Sequence, residues 1–566
     1  MRPRYQVVVV GSGYGAAVCA ARLAEAGAAV CVLERGREML SGQFPRDVAG
    51  VTAETQFDLG RVRGGRRNGL YDYRVGRDLA VVVGCGLGGT SLINANVVLP
   101  PDMSVFAQPA WPAPIREEYE RNELQAYFER ARRMLRAAPL PDEPGPAKLR
   151  ALQQGAQAVH GPWKRLDLAV HFGATGPNDF GMYQEPCLRC GDCVTGCNFH
   201  AKNSLPYNYL PLARSMGAHI FTECEVRTVL PLGPEGPYAV HYVFQDADEE
   251  VERSLVADNV VLGGGVLGST EILLRSRERA GGLRLSPRLG YGLSSNGDAV
   301  SFAYRTREPV GSVGLGEAAR GRPLPRVGPT ITSAVDLRIP DQPLRLGLLV
   351  EEGAFPSSLV KALDVLLPVF AKLGSLESGG PLGRGVEKWL RQRGEELHDF
   401  FHRHGDEALD RTLLYLTIGH DAADGRIVLS SLGRAQVMWP TLRDQPVFQR
   451  ADQVVREITQ SLGGTHVRDP LYSRLLDRQL ITVHPLGGCP MGEDATTGVV
   501  DHAGRVYAGD AANPRRVHRG LYVADGAIMP MSLGVNPLHT ITALAERVAE
   551  HAARDLGLVP GQRMSL

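Results

Sequence analysis

The 566-residue sequence lacks an excess of charge of either sign: Lys+Arg and Asp+Glu each number 62. Nucleic-acid binders carry a basic footprint, so this balance argues against a nucleic-acid partner. The sequence also lacks any apolar run of about 18 residues, the length that spans a bilayer as a helix. No secretory leader is recognisable, because Gln6 to Val10 runs straight into Gly11-Ser12-Gly13 without a separate apolar region or cleavage site. These absences predict a cytoplasmic chain, with contact at the inner membrane face at most peripheral. Internal repeats are missing too. Cysteine is sparse, nine in all, five scattered singly and four clustered. That is a poor disulfide framework and a good metal pattern. The remaining composition, 43% hydrophobic and 22% charged, is that of a globular chain long enough for two domains.

What is present is a set of glycine-rich turns. Tyr5 to Val10 reads as a buried parallel strand, Gly11-Ser12-Gly13-Tyr14-Gly15-Ala16 as a turn, and Ala17 to Ala26 as a helix. Ala29 to Leu33 is the next strand, closed by Glu34. This is a dinucleotide-binding fingerprint: Gly11 permits the tight turn, Gly13 lets backbone approach a pyrophosphate, and Ala16 lets helix and strand pack closely. The helix N-terminus offers free N–H groups to phosphates, and Glu34 can accept from ribose hydroxyls. NAD and FAD both use such a turn. A second stretch, Val83 to Asn96 with Gly84, Gly86, Gly88, Gly89 and Ser91, is poor enough in side chains to lie against a large flat ligand.

Three phrases stand near the C-terminal end: HPLGGCPMG from His484, LYVADGAIMP from Leu521 and GVNPLHTITALAER from Gly534. Loops of this kind are costly to order and usually exist to place a side chain. Pro485 and Pro537 restrict the residues before them, His484 and Asn536, to extended geometry. An imidazole suits proton transfer near neutral pH. Glu351 and Glu352 follow an apolar strand, Leu346 to Val350, where a carboxylate beside an apolar pocket would have a raised pKa. Solvated loop acids are the blander reading.

Cys187, Cys190, Cys193 and Cys197 have the C-x2-C-x2-C-x3-C spacing of iron–sulfur ligands. A structural zinc also accepts four thiolates, and unmetallated thiols are the third reading.

With these motifs in order, the chain resembles the glucose-methanol-choline (GMC) oxidoreductases, and within them the cholesterol-oxidase branch. The motifs are GSGYGA at Gly11, GCGLGGTSLINAN at Gly84, NGD at Asn296, GPTIT at Gly328, EEGAFP at Glu351 and the three C-terminal phrases. The resemblance implies FAD. It implies that His484 handles the substrate hydroxyl proton and that Asn536 pairs with it beside the flavin. Asp525 and Gly526 would contact the ribityl chain and pyrophosphate, Asn94 would lie near the ring, and Val226 would hold the adenine by backbone contacts. Tyr14, Gly15, Gly86, Gly89, Ser91 and Pro537 fall within the same cofactor motifs. Glu351 would be the carboxylate that moves a double bond after sterol oxidation, with Glu352 leaving the registration open by one residue. Some relatives attach FAD covalently through a histidine where this chain has Ile93, so non-covalent FAD is expected.

The expected fold is α/β: a Rossmann-type FAD domain assembled from 1–105, 205–300 and 480–566, and an α+β substrate domain from 106–204 and 301–479 with a mainly antiparallel sheet. A cysteine-rich insertion occupies 181–204. Leu413 to Ile418 and Arg426 to Ser430 are further strand candidates. Pro356 to Leu373 reads equally as a core helix or as a lid for a lipid at a membrane surface, and Glu387 to Asp410 as a solvated helical face. The expected reaction is oxidation of a sterol-like 3-hydroxyl to the ketone, with oxygen or an electron carrier as acceptor. Oxidation of another alcohol or a polyol, and a non-redox flavin lyase or isomerase, are the alternatives.

Overall fold

The computed structural model describes all residues except 61, 235, 247–248, 325, 341, 363–407, 469–479 and 560–566. Its first strand, Arg4–Val10, is pinned between two parallel neighbours, Val30–Leu33 and the long strand Glu249–Leu262. Val7, Val8 and Val9 are fully buried. A strand covered on both faces reads as an unbroken β-branched run for this reason, and each such valine contributes about 1.5–3 kcal/mol by burial. His219–Phe221 extends this sheet in parallel beyond Val30–Leu33. Glu249–Leu262 also pairs in parallel with Val517–Val523 at its far end and antiparallel with Tyr238–Asp246 at its near end. The sheet thus collects strands from three separate parts of the sequence.

The helix Tyr14–Glu25 packs against the C-terminal helix Leu538–Asp555. Arg22 on the first bonds Glu546 on the second at 2.7 Å inside the contact. Helix Gly265–Glu278 follows the long strand.

The second large sheet has six strands in the order Thr465–Arg468, Ala299–Tyr304, Leu413–Gly419, Leu348–Gly353, Ser333–Asp336 and Trp163–Arg165. Every neighbouring pair in it is antiparallel. The α/β class and the antiparallel second sheet therefore agree with the sequence reading. Local boundaries shift. The strand expected at Leu346 to Val350 runs Leu348–Gly353 and carries both glutamates inside it. Of the apolar stretch beginning at Pro356, the described part opens with a short 3-10 turn, Ser357–Leu359. The rest of that stretch from residue 363, and 387–407 of the charged one, lie outside the described residues. Among the described residues no helix is long and apolar enough to cross a membrane.

Candidate active site

The two glycine-rich loops are docked on each other by one hydroxyl. Ser12 Oγ donates to Glu34 at 2.6 Å and accepts from the Gly88 nitrogen at 2.9 Å. Glu34 also accepts from the Gly36 nitrogen at 2.7 Å, and burial pushes its carboxyl up against those two donors. Gly11 has φ +91, and a side chain there would run into the Gly263 carbonyl. A methyl on Gly15 would overlap the Ala524 carbonyl, and one on Gly263 would meet Ala16. Gly13 is different: nothing lies within 4 Å of the point where its Cβ would stand. The first turn is therefore crowded on its protein side and open where a phosphate would lie.

Further around the same crevice, Ser91 Oγ caps the second loop by donating to the Gly88 carbonyl at 2.7 Å. Gly86 and Gly89 in that loop both have positive φ. Asn94 Nδ2 donates to the Tyr14 hydroxyl at 2.7 Å, and its buried Oδ1 has no partner. Asp525 accepts from the Gly265 nitrogen, Ser269 Oγ and the Ala527 nitrogen, joining the start of helix Gly265–Glu278 to the turn that begins at Gly526. Val226 sits at a β-bulge, where the register shifts between it and Thr228. A bulge leaves backbone outside the ladder. Ile93 packs with Met39, Phe44, Leu70, Tyr71 and Leu92.

His484 and Asn536 are positioned by residues two apart in one turn. Asp298 Oδ1 stands 2.8 Å from His484 Nδ1, and its Oδ2 accepts from the His484 nitrogen and from Thr482 Oγ1. Asn296 Oδ1 accepts from the nitrogens of Leu533 and Gly534, and its Nδ2 donates to the Val535 carbonyl. The Asn296-Gly297-Asp298 turn therefore grips both loops. Burial works against charging His484, but the Asp298 carboxylate outweighs it and raises its pKa. An acceptor carboxylate requires Nδ1 to be the donor, which leaves Nε2 as the basic nitrogen of the neutral ring.

Among the described residues no hydrogen bond joins His484 to Asn536. Asn536 Nδ2 donates instead to Glu351 Oε2 at 3.1 Å. Glu351 Oε1 and Asn536 Oδ1 are buried without partners. Burial pushes the Glu351 carboxyl up to about 7. Glu352 lies on the other side of the strand, as the period of two requires. It is fully buried against the Lys148 ammonium and accepts from the nitrogens of Thr332 and Ser333 at 2.9 Å. Glu351 therefore faces Asn536 and Glu352 faces Lys148, and neither acid is a solvated loop residue. His539 Nε2 donates to the Phe128 carbonyl at 2.9 Å inside the helix packing.

Two residues beside these loops had no role assigned from the sequence, although Asp298 closes the Asn296 motif. Asp298 is 186 residues from His484, and no local spacing links them. His420 packs on the Gly534 turn, with Nδ1 3.2 Å from Ser532 Oγ and a buried, unpartnered Nε2. Burial lowers its pKa to about 4, so it is neutral.

Cys187, Cys190, Cys193 and Cys197 line one cavity with Asn96, Phe199, Lys202 and Pro329. None is in a disulfide. Among the described residues no group of three or more His, Cys, Asp or Glu side chains is arranged to hold a metal ion.

Two family models, both described as GMC oxidoreductase, match residues 9–281 and 439–545. The chain is 28% identical to a cholesterol oxidase of Mycobacterium tuberculosis strain H37Rv, covering 97% of this chain and 91% of that one. It is 26% identical to a cholesterol oxidase of Acinetobacter baumannii, over 97% and 94%. A long-chain-alcohol oxidase of Arabidopsis thaliana is 22% identical over 96% of this chain and 66% of its own. In fold, the molecule resembles pyridoxine 4-oxidase from Mesorbium loti, with a TM-score of 0.60 at 18% identity over 97% and 99% of the two chains. The two glycine-rich loops and the match to both halves of the family lead to one conclusion: this chain belongs to the GMC oxidoreductase family.

Proposed function

We propose that the protein oxidises a hydrophobic secondary alcohol, a sterol-like 3-hydroxyl, to the ketone, using non-covalently held FAD. The flavin would be held by the Gly11 to Ala16 turn, Glu34, Gly86 to Asn94, Val226 and Asp525 to Gly526, within a domain formed by 1–105, 205–300 and 480–566. The open space at Gly13 and the unpartnered Asn94 Oδ1 suit such a ligand. Bound there, FAD supplies the hydride acceptor.

The observation that carries this reading is the pair of polar devices facing one another: His484 oriented by Asp298, and Asn536 bonded to Glu351. His484 Nε2 takes the hydroxyl proton as the C–H bond breaks, and Asp298 stabilises the imidazolium that forms. The unpartnered Asn536 Oδ1 and Glu351 Oε1 leave hydrogen-bonding capacity for the substrate oxygen. A carboxyl titrating near neutrality can both accept and return a proton, which suits Glu351 to moving a double bond after oxidation. Two similar chains are named cholesterol oxidases, which favours a sterol over a polyol.

The acceptor is oxygen, or an electron carrier reached through an iron–sulfur cluster on the four clustered cysteines. Substrate delivery would involve transient contact with the inner membrane face. Anaerobic mixing of the purified protein with cholesterol tests the reading. Bleaching of the flavin supports it, bleaching only by other alcohols moves the substrate class, and no bleaching by any alcohol removes alcohol oxidation.

A further inference from the structure

Lys202 links the cysteine loop to the loop expected to lie against the flavin. Its ammonium is buried and donates to the carbonyls of Leu92 at 3.0 Å, Asn94 at 2.7 Å and Cys193 at 3.1 Å. Those three bonds use all its protons. All three acceptors are neutral, and among the described residues no carboxylate forms an ion pair with it. A buried cation without a countercharge is costly. The groups of the cavity it lines that can become anionic are the four thiols and Asp192, whose carboxylate is already engaged by the Ser357 nitrogen and hydroxyl.

Asn96 supplies a second unsatisfied group in the same cavity. It is 1% exposed, its backbone is held at φ +68, and its Nδ2 has no hydrogen-bond partner. A buried amide donor left idle in this way calls for an acceptor. Four thiols, the Asp192 carboxylate, one cation with no ion-pair partner among the described residues and one idle donor thus border a single cavity. Among the described residues the thiols do not form a group arranged to hold one metal ion. A multinuclear cluster distributes its ligands over several iron atoms and so requires no such arrangement.

We propose that Cys187, Cys190, Cys193 and Cys197 hold an iron–sulfur cluster in this cavity, with Lys202 as its countercharge and Asn96 Nδ2 donating to one of its sulfurs. The cluster assignment stands on the cysteine cavity alone; its role as an electron outlet rests on the flavin-dependent alcohol oxidation proposed above. Oxidation of the alcohol releases two electrons and two protons. The electrons leave one at a time to a one-electron carrier protein, two carriers being reduced per alcohol, and the protons pass to solvent. Lys202 tunes this outlet, because a buried positive charge favours the more reduced, more negative cluster.

The test uses the full chain, purified anaerobically and reconstituted with ferrous iron and sulfide. Iron and acid-labile sulfide should each reach roughly three to four per chain, the range of three- and four-iron clusters, with an electron paramagnetic resonance signal on dithionite or ferricyanide treatment. Neither step needs an alcohol. Cys190→Ser should lose most of the iron. Asn96→Leu and Lys202→Met should keep it and move the midpoint potential to more negative values, and Lys202→Arg should restore the wild-type potential. Wild-type protein that takes up neither iron nor sulfide, or only zinc, overturns the cluster. Iron retained with an unshifted potential in both variants overturns the roles of Asn96 and Lys202. A cluster signal in a protein whose flavin no alcohol bleaches leaves the site standing and removes the alcohol-oxidation reading instead.

Discussion

The carboxylate of Asp298 holds His484 at two points, the ring Nδ1 at 2.8 Å and the backbone nitrogen at 3.0 Å. One residue thereby fixes both where the histidine stands and which ring nitrogen carries the proton. Two positions earlier in the chain, Asn296 fixes the loop that presents Asn536. The loops that carry His484 and Asn536 are therefore tied together by a three-residue turn.

Replacing Asp298 with Asn tests this directly. The variant should bind FAD normally, since Asp298 contacts no part of the glycine-rich loops, and kcat/KM for the alcohol should fall by ~10²-fold or more. Asp298 raises the pKa of His484 above 6.5. Its removal should therefore move the acid limb of the pH–rate profile to lower pH. The linked stability has the same sign. A histidine raised in the folded state contributes stability fully present below the unfolded pKa and lost as pH rises through the folded one. Asp298→Asn should thus lose more stability in acid than in alkaline solution. A profile that keeps its acid limb in place would separate Asp298 from the titration of His484.

The two adjacent glutamates should behave oppositely. Glu351→Gln removes a carboxyl held near neutrality by burial and bonded to Asn536. It should still oxidise a sterol alcohol, while formation of the conjugated ketone slows by ~10²-fold. It should also be no less stable than the parent above neutral pH, where burying an ionised Glu351 is unfavourable. Glu352→Gln removes the partner of a fully buried Lys148 and should cost about 3–5 kcal/mol. Urea unfolding and product absorbance together distinguish the two. Loss of isomerisation in Glu352→Gln with Glu351→Gln unaffected would reverse the assignment.

The parts of this site that were legible in the sequence are those where the backbone itself is constrained. Gly11, Gly13 and Gly15 leave their mark because each approaches backbone or open ligand space, and Pro485 and Pro537 because they restrict His484 and Asn536. What was not legible depends on strand pairing. Asp298 reaches His484 only because Ser294 bridges Leu486 across the two segments. The choice between Glu351 and Glu352 needs the boundary of Leu348–Gly353, since alternation assigns faces only once the strand is known. Asn536 meets Glu351 because the antiparallel sheet carries that glutamate over the C-terminal loop. The cysteine spacing was visible, whereas Lys202 and Asn96 beside it had no local signature.

Acid precipitation should release all the flavin into the supernatant. The resemblance puts Ile93 where some relatives carry a histidine linked to the flavin, and its side chain packs among Leu70, Tyr71 and Leu92. An aliphatic side chain offers no nucleophile to the flavin ring. Yellow colour remaining in the washed pellet, measured by absorbance after redissolving, would contradict this.

Gly13→Ala and Gly15→Ala should fail in different ways, although they lie two residues apart. At Gly15 a methyl would overlap the Ala524 carbonyl and approach the Asp525 Cα. Helix and strand must separate to admit it, so thermal unfolding should show a loss of about 1–3 kcal/mol. At Gly13 the backbone has φ −68, which any residue adopts, and a methyl meets no protein atom within 4 Å. Apo-protein stability should be unchanged there, yet FAD should be lost or weakened, because the methyl fills the space through which the backbone approaches the pyrophosphate. Flavin content against apo-protein melting temperature reads out the contrast. Normal flavin content in Gly13→Ala would mean that the open space beside this turn is not the cofactor's.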